Sequence, residues 1–134
     1  MIVVDANIIV YALTDSPHRE MANRVRSIDG DWRVPVLWRH EFLNVIATLI
    51  RHGHIDEADG ALLWDNAAKL LGGSEHEVNM KNAMKLAVKH DISAYDAQYV
   101  ALAKEFETLL LTEDSRLLRK FPDICATLKE YATK

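Results

Sequence analysis

The chain has 134 residues, a length that fits one domain over residues 1–134, since domains commonly hold about 100 to 200 residues. Hydrophobic residues make up 49% and charged residues 27%, with five Gly and three Pro, which excludes a disordered or fibrous chain and leaves apolar material for a core. The net charge of -4 has the opposite sign to that of a domain gripping phosphates with its own side chains, so simple nucleic-acid binding is disfavoured.

Ile2-Val3-Val4 is a short apolar β-branched run that stops at Asp5, which predicts a buried strand of a parallel sheet. The apolarity continued from Ile8 to Leu13 fits a strand or a buried helix, and periodicity does not choose between them. Ser16-Pro17 predicts a cap followed by proline at the first helical position, with Met21, Val25 and Ile28 on one face of the helix. Val34-Pro35-Val36 reads as a second strand. A helical stripe of Phe42, Val45, Ile46 and Leu49 then runs from Leu37 to about His52, where Gly53 suits a left-handed cap. The next helix extends from about Asp56 to Leu71, carrying Ala58, Leu62, Ala67, Leu70 and Leu71 as its apolar positions, and Gly72-Gly73 stop it. Met80, Ala83, Met84, Ala87 and Val88 mark another by their spacing. Ser93 starts a further helix with Ala97, Val100, Ala101 and Lys104 along one side. Leu109 to Thr112 predicts a buried strand, Ser115 to Lys120 a short helix, and Cys125 to Leu128 a last strand. This alternation points to an α/β sandwich around a mostly parallel sheet.

No uncharged apolar run approaches the roughly 18 residues of a membrane span, and the first residues lack the basic leader of a signal peptide. A soluble, intracellular and cytoplasmic protein is expected. Cys125 is the single cysteine, which rules out an internal disulfide and a thiolate-rich zinc site and predicts a buried core thiol.

Ligand crevices of open parallel sheets lie beyond the carboxyl ends of the strands, and acids fall at such junctions here. Asp5 ends the first strand, Glu41 lies early in the helix after the second, Asp114 follows the strand Leu109 to Thr112, and Asp96 sits in the first turn of the helix begun at Ser93. Right-handed winding would gather these helix starts at one edge. Each acid also has a structural reading: Asp5 and Asp114 as caps, Glu41 as a first-turn acid favoured by the helix dipole, Asp96 as part of a variant capping box. An acidic pocket of this kind can hold divalent cations that reverse the local sign for phosphate.

Val3-Val4-Asp5-Ala6-Asn7, His40-Glu41-Phe42-Leu43-Asn44-Val45, the segment from Ser93 through Tyr95-Asp96-Ala97-Gln98-Tyr99 to Ala103, and Leu110-Leu111-Thr112-Glu113-Asp114 resemble the PIN-domain nucleases, most closely the single-domain VapC-type toxins. The likeness covers nearly the whole chain in order and spacing. It implies a three-layer, Rossmann-like α/β/α sandwich that cleaves RNA with Mg²⁺ or Mn²⁺. It implies further that Asp5, Glu41, Asp96 and Asp114 are the catalytic and metal-binding acids, that Asn7 supports the site, and that a cognate antitoxin and a homodimer are the partners. Glu113 stands beside Asp114 and could assist it or substitute for it, and the Thr-x-Asp spacing favours Asp114. Oxygen ligands suit Mg²⁺ and Mn²⁺, with one or two ions both compatible with four acids. Without metal, neighbouring carboxylates should repel and raise the pKa of at least one member. Asn7 cannot titrate and would orient a carboxylate or a metal water, or cap a helix, and the Thr112 hydroxyl would fix Asp114 or bind a phosphate-side water, or be an ordinary strand-end threonine.

Arg39, His40, Arg51, Arg116, Arg119 and Lys120 could flank the groove and hold RNA phosphates, Arg39 and Arg116 foremost. Trp38 could stack on a base, though burial fits Trp32, Trp38 and Trp64 equally well. The segment from His40 to Asn44 lacks the second His of a zinc-protease helix, and no phosphate-binding glycine loop occurs. Two rival readings remain: an aspartate-nucleophile phosphatase, weakened because Asn7 stands where its second acid belongs, and a non-catalytic module whose acidic groove takes a basic segment. The apolar helices between residues 37 and 71 offer material for a twofold contact.

Overall fold

The computed structural model describes residues 1–133 and contains strands β1 (Ile2–Val4), β2 (Trp32–Pro35), β3 (Glu75–His76), β4 (Leu110–Leu111) and β5 (Cys125–Ala126). Helices α1 (Ala6–Leu13), α2 (Arg19–Ile28), α3 (Trp38–Arg51), α4 (Glu57–Leu71), α5 (Met80–His90), α6 (Ala94–Glu105), α7 (Ser115–Lys120) and α8 (Leu128–Ala132) alternate with them. The strands form one sheet, all pairs parallel, in the order β3-β2-β1-β4-β5. Alternation along each strand divides the core. Ile2, Val4, Leu111 and Ala126 pack with α1 to α4 and α8, while Val3, Leu110 and Cys125 pack with α5 to α7. The result is the expected three-layer α/β/α sandwich. The chain leaves β1 on one face and returns to β4 from the other, so the winding reverses between these two strands and opens a crevice above them.

Helix α1 resolves the ambiguous run Ile8 to Leu13. Asp5 accepts from Ile8 N at 3.1 Å as N-cap, and Thr14 N closes the other end on Val10 O at 2.9 Å. Pro35 sits in β2 between the residues that donate on the β3 side, Val34 N to Ser74 O at 3.1 Å and Val36 N to His76 O at 3.2 Å, so its missing N–H costs no bond there. Gly53 adopts the expected left-handed conformation, φ +73°, after α3.

Several elements differ from the sequence expectation. Helix α2 starts at Arg19 rather than at Pro17, and the Ser16 hydroxyl, instead of capping, is buried without a partner. The two-residue β3 carries no apolar signal. It exists because its backbone pairs with β2 and because Glu75 takes the Trp38 indole N–H at 2.6 Å. The expected strand to Leu128 stops at Ala126, since Thr127 caps α8 by accepting from Glu130 N. On α4 the buried positions are Gly60, Leu63, Ala67 and Leu71, with Leu62 turned outward. On α5 they are Ala83 and Leu86, while Met80, Met84 and Val88 face solvent. Ile28 is likewise exposed on α2. Trp32 and Trp38 are buried, and Trp64 stacks on Trp38 at 5.7 Å, so the tryptophans serve the core.

Cys125 is buried on β5, and burial pushes its thiol up to about 12. The folded protein should therefore resist a thiol reagent at pH 8 and react only once denatured; prompt native-state labelling would contradict that placement.

Among the described residues no helix is long and apolar enough to cross a membrane.

Candidate active site

Four elements bring the acids together. Asp5 is the first residue beyond β1, Glu41 lies in the first turn of α3, Asp96 in that of α6, and Asp114 is the N-cap of α7. All four line one cleft of about 200 Å³ at the crevice between β1 and β4, together with Asn7, Asn44 and Tyr99. The structural readings of the acids also hold in part. Asp5 caps α1, and Asp114 caps α7 by accepting from Arg116 N at 2.8 Å and Leu117 N at 3.2 Å, all through Oδ1. A cap on one carboxylate oxygen is compatible with a second oxygen facing the cleft. Asp96 receives its geometry from the backbone, whose N–H donates to the Ser93 cap at 3.0 Å.

Burial and mutual repulsion both act on this set. Asp5 is pushed up to about 6, first by loss of solvent and then by Glu41 and Asp96, against hydrogen bonds from Thr112 and Ile8 N that favour its charge. Glu41 and Asp96 are also raised, again mainly by burial. Repulsion was the expected cause; desolvation is the larger one, because the acids sit in the floor of a crevice. Asp114 adds to the shift of Asp96, and Arg116 opposes it.

The cleft contains unsatisfied polar atoms. Glu41 Oε1 is buried and meets no donor, and so is the Tyr99 hydroxyl, which lies near enough to favour the Glu41 anion but outside hydrogen-bond geometry. A buried carboxylate oxygen without a donor, set among other carboxylates, is chemically suited to a cation or its water shell. Among the described residues no three acid, imidazole or thiol groups stand in chelating geometry. A Mg²⁺ site does not need them, since this ion keeps several waters and uses one or two carboxylates.

Thr112 is fully buried, accepts from Asp114 N at 3.0 Å and lies close enough to Asp5 to favour its charged form, so it bears on two of the acids at once. In Thr112→Val the shape is kept but the Asp114 N–H loses its acceptor, so a loss of about 1–3 kcal/mol is expected in urea unfolding. An unchanged midpoint would show that the bond is dispensable. Asn7 is exposed and lines the cleft.

Two further residues considered for the site stand apart from the cleft. Glu113 turns to the other side, accepting from Leu128 N at the start of α8, so it is committed away from Asp114. Arg39 does not line the cleft: Glu75 holds its guanidinium at 2.6 and 3.2 Å, in the ion pair that also fixes β3. Arg116 does lie near Asp96, with Nη2 donating to Asp91 O at 3.0 Å. Asn44 and Tyr99 were not singled out from the sequence. Each lies three residues after an acid, Glu41 and Asp96, and the i, i+3 spacing on a helix was the available signal.

The family model described as PIN domain matches residues 2–123. Ribonuclease VapC3 of Pyrobaculum aerophilum is 37% identical over 125 residues, covering 90% of this chain and 95% of that protein. Among solved structures, PAE2754 from Pyrobaculum aerophilum superposes with a TM-score of 0.77 at 19% identity, over 98% of this chain and 93% of the other. FitAcB from Neisseria gonorrhoeae gives 0.68 at 19%, over 96% and 99%. Family match, curated relative, sheet order and acid cleft agree, and the chain belongs to the PIN domain family.

Proposed function

We propose that the protein is a divalent-metal-dependent endoribonuclease that hydrolyses RNA phosphodiester bonds and serves as the toxin of a toxin-antitoxin pair. The observation that carries this reading is the convergence of Asp5, Glu41, Asp96 and Asp114 on one cleft. The ribonuclease named among its relatives supports the RNA substrate. Asn7 in place of a second acid, together with the family, leaves the phosphatase alternative without support.

Asp5, Glu41, Asp96 and Asp114 would hold Mg²⁺ or Mn²⁺, which supplies an acidified water and neutralises phosphate charge. The protein's own contribution is orientation. Thr112 and the α1 cap fix Asp5, the α7 cap fixes Asp114, and the α3 and α6 first turns aim Glu41 and Asp96 from two sides. Arg116 adds a positive charge beside Asp96 for a phosphate oxygen.

A cognate antitoxin belongs to the same proposal, since a segment bearing a cation would fit the acidic cleft. So does a homodimer, for which Leu43 on α3 and Leu62 on α4 provide exposed apolar side chains. Light scattering that gives a monomer at working concentration would count against the dimer. The direct test incubates a mixed small-RNA pool with the protein and Mn²⁺ or Mg²⁺, with and without chelator. Cleavage lost on chelation is expected; cleavage that persists would overturn the metal dependence.

A further inference from the structure

A larger cavity, of about 460 Å³, lies between α5 and α6, lined by Lys85, Lys89 and Lys104 with the amides of Asn79 and Asn82. Glu105 also lines it but pairs with none of these lysines; among the described residues no ion pair or side-chain hydrogen bond holds any of the three. Their isolation is notable in a chain with 20 acids against 16 Lys and Arg. Helix α5 itself carries no acid, so Lys81, Lys85 and Lys89 repeat at i, i+4, i+8 as an uncompensated row, an arrangement that disfavours the helix. Four helical residues advance about 6 Å, the order of the phosphate repeat in an extended single strand.

This face is joined to the catalytic cleft. Lys120 donates to His90 O and to Asp91 O at the end of α5, and Arg116 donates to Asp91 O while standing beside Asp96. Cations therefore stand on α7 and at the end of α5, on either side of the exposed Asp91, between the acid cleft and the lysine row. Along the lysine row runs the exposed ridge of Met80, Met84 and Val88. Thioethers make favourable contacts with aromatic faces, and unstacked nucleobases present such faces.

We infer that the α5–α6 groove is a second RNA site, which binds the backbone of the single strand that flanks the scissile phosphate, with phosphates on Lys85, Lys89 and Lys104 and bases on the Met80–Val88 ridge. The inference rests on the ribonuclease reading above and extends it from cleavage to the reach of the substrate. Single-stranded RNA is the one ligand class that answers both the repeating cations and the apolar ridge while passing through the acid cleft.

The test measures anisotropy of labelled RNA with Mg²⁺ on the Asp96→Asn protein, so that the cation covers the remaining acids of the cleft while cleavage stays slow on the time of the measurement. It compares a short strand that fills the cleft with a longer one that also spans α5. In the Lys85→Gln/Lys89→Gln/Lys104→Gln background the long strand should bind more weakly. The slope of its log affinity against log salt should fall by about 2, at about 0.7 per neutralised phosphate contact. The short strand should bind as before. Equal binding of the long strand to both proteins overturns the groove, as does an equal loss for both strands, which would reflect only the general field. A polyglutamate peptide that depends on these lysines while the long RNA does not would also overturn it, in favour of an acidic protein partner. If the protein with its lysines intact binds neither strand, the RNA reading of the cleft falls along with that of the groove.

Discussion

In the Asp96→Asn protein, RNA cleavage with Mn²⁺ is expected to fall at least about a hundredfold, because the charge stabilisation of a metal-carboxylate site amounts to several kcal/mol and each 1.4 kcal/mol is a factor of ten. The fold should persist. The cap bond at this position runs from the backbone N–H of residue 96 to Ser93 Oγ, and an amide replaces the carboxylate at nearly the same volume. The half-buried acid lies beside both Asp114 and Arg116, so removing its charge relieves one repulsion, gives up one attraction and breaks none of the ion pairs found among the described residues. Circular dichroism and the unfolding midpoint check the fold, and single-turnover cleavage of a defined RNA checks the chemistry. Near-normal turnover in a folded Asp96→Asn protein would remove this residue from the catalytic set. A loss of stability of about 0.5–2 kcal/mol with little loss of rate would mean that Asp96 is only a helix-start residue.

Asp5→Asn is expected to stabilise the protein at neutral pH while abolishing cleavage. The carboxyl is raised from 3.8 to about 6, so the folded state holds its proton more tightly than the unfolded state does. Its contribution to stability is thus complete below about pH 4 and is lost as pH rises through about 6. At about 1.4 kcal/mol per pH unit this amounts to at most about 3 kcal/mol at pH 7. Asn keeps the α1 cap, which is among the best side chains for that position, and can still accept from Thr112. Urea midpoints across pH 4 to 7 should therefore fall for the native chain and fall less for Asp5→Asn, with Glu41 and Asp96 supplying the remaining slope in the same direction. Parallel curves would overturn the burial argument. Added Mn²⁺ should narrow the gap between the two proteins, since a cation stabilises the charged form of Asp5 and the amide gains less from it.

The common logic is that this site is costly in the empty protein. Three carboxylates are raised by a crevice that deprives them of water, and the oxygen of Glu41 finds no donor. Evolved sites commonly trade stability for function in this way, and the two substitutions measure the two sides of that trade at neighbouring positions.

Much of this was legible along the chain. The run Ile2 to Val4, the short apolar Leu110-Leu111, the 3.6-residue spacing in α3 and α6, and the glycine after α3 are local signals whose physics is local: strand burial on both faces, one buried helical stripe, one left-handed residue. The acids were legible too, because each stands at a strand end or in a helix first turn, where a parallel sheet puts its ligand crevice. The direction of the helix faces was less so. On α5 the methionines and Val88 continue an apolar spacing, yet the sheet takes the side that carries Ala83 and Leu86, and the spacing alone counts both sides.

Sequence by itself thus determined the layer type, the strand and helix order over most of the chain, the set of four acids and the burial of the lone cysteine. Tertiary structure alone decided what depends on partners distant in the chain. It made Glu75–His76 a strand through β2, ended β5 early by the Thr127 cap, sent Glu113 to α8 and Arg39 to Glu75, and brought Asn44 and Tyr99 into the cleft. Local propensity and periodicity fix which elements form, whereas the orientation of a charged or polar side chain follows from whichever counter-group the packed sheet sets beside it.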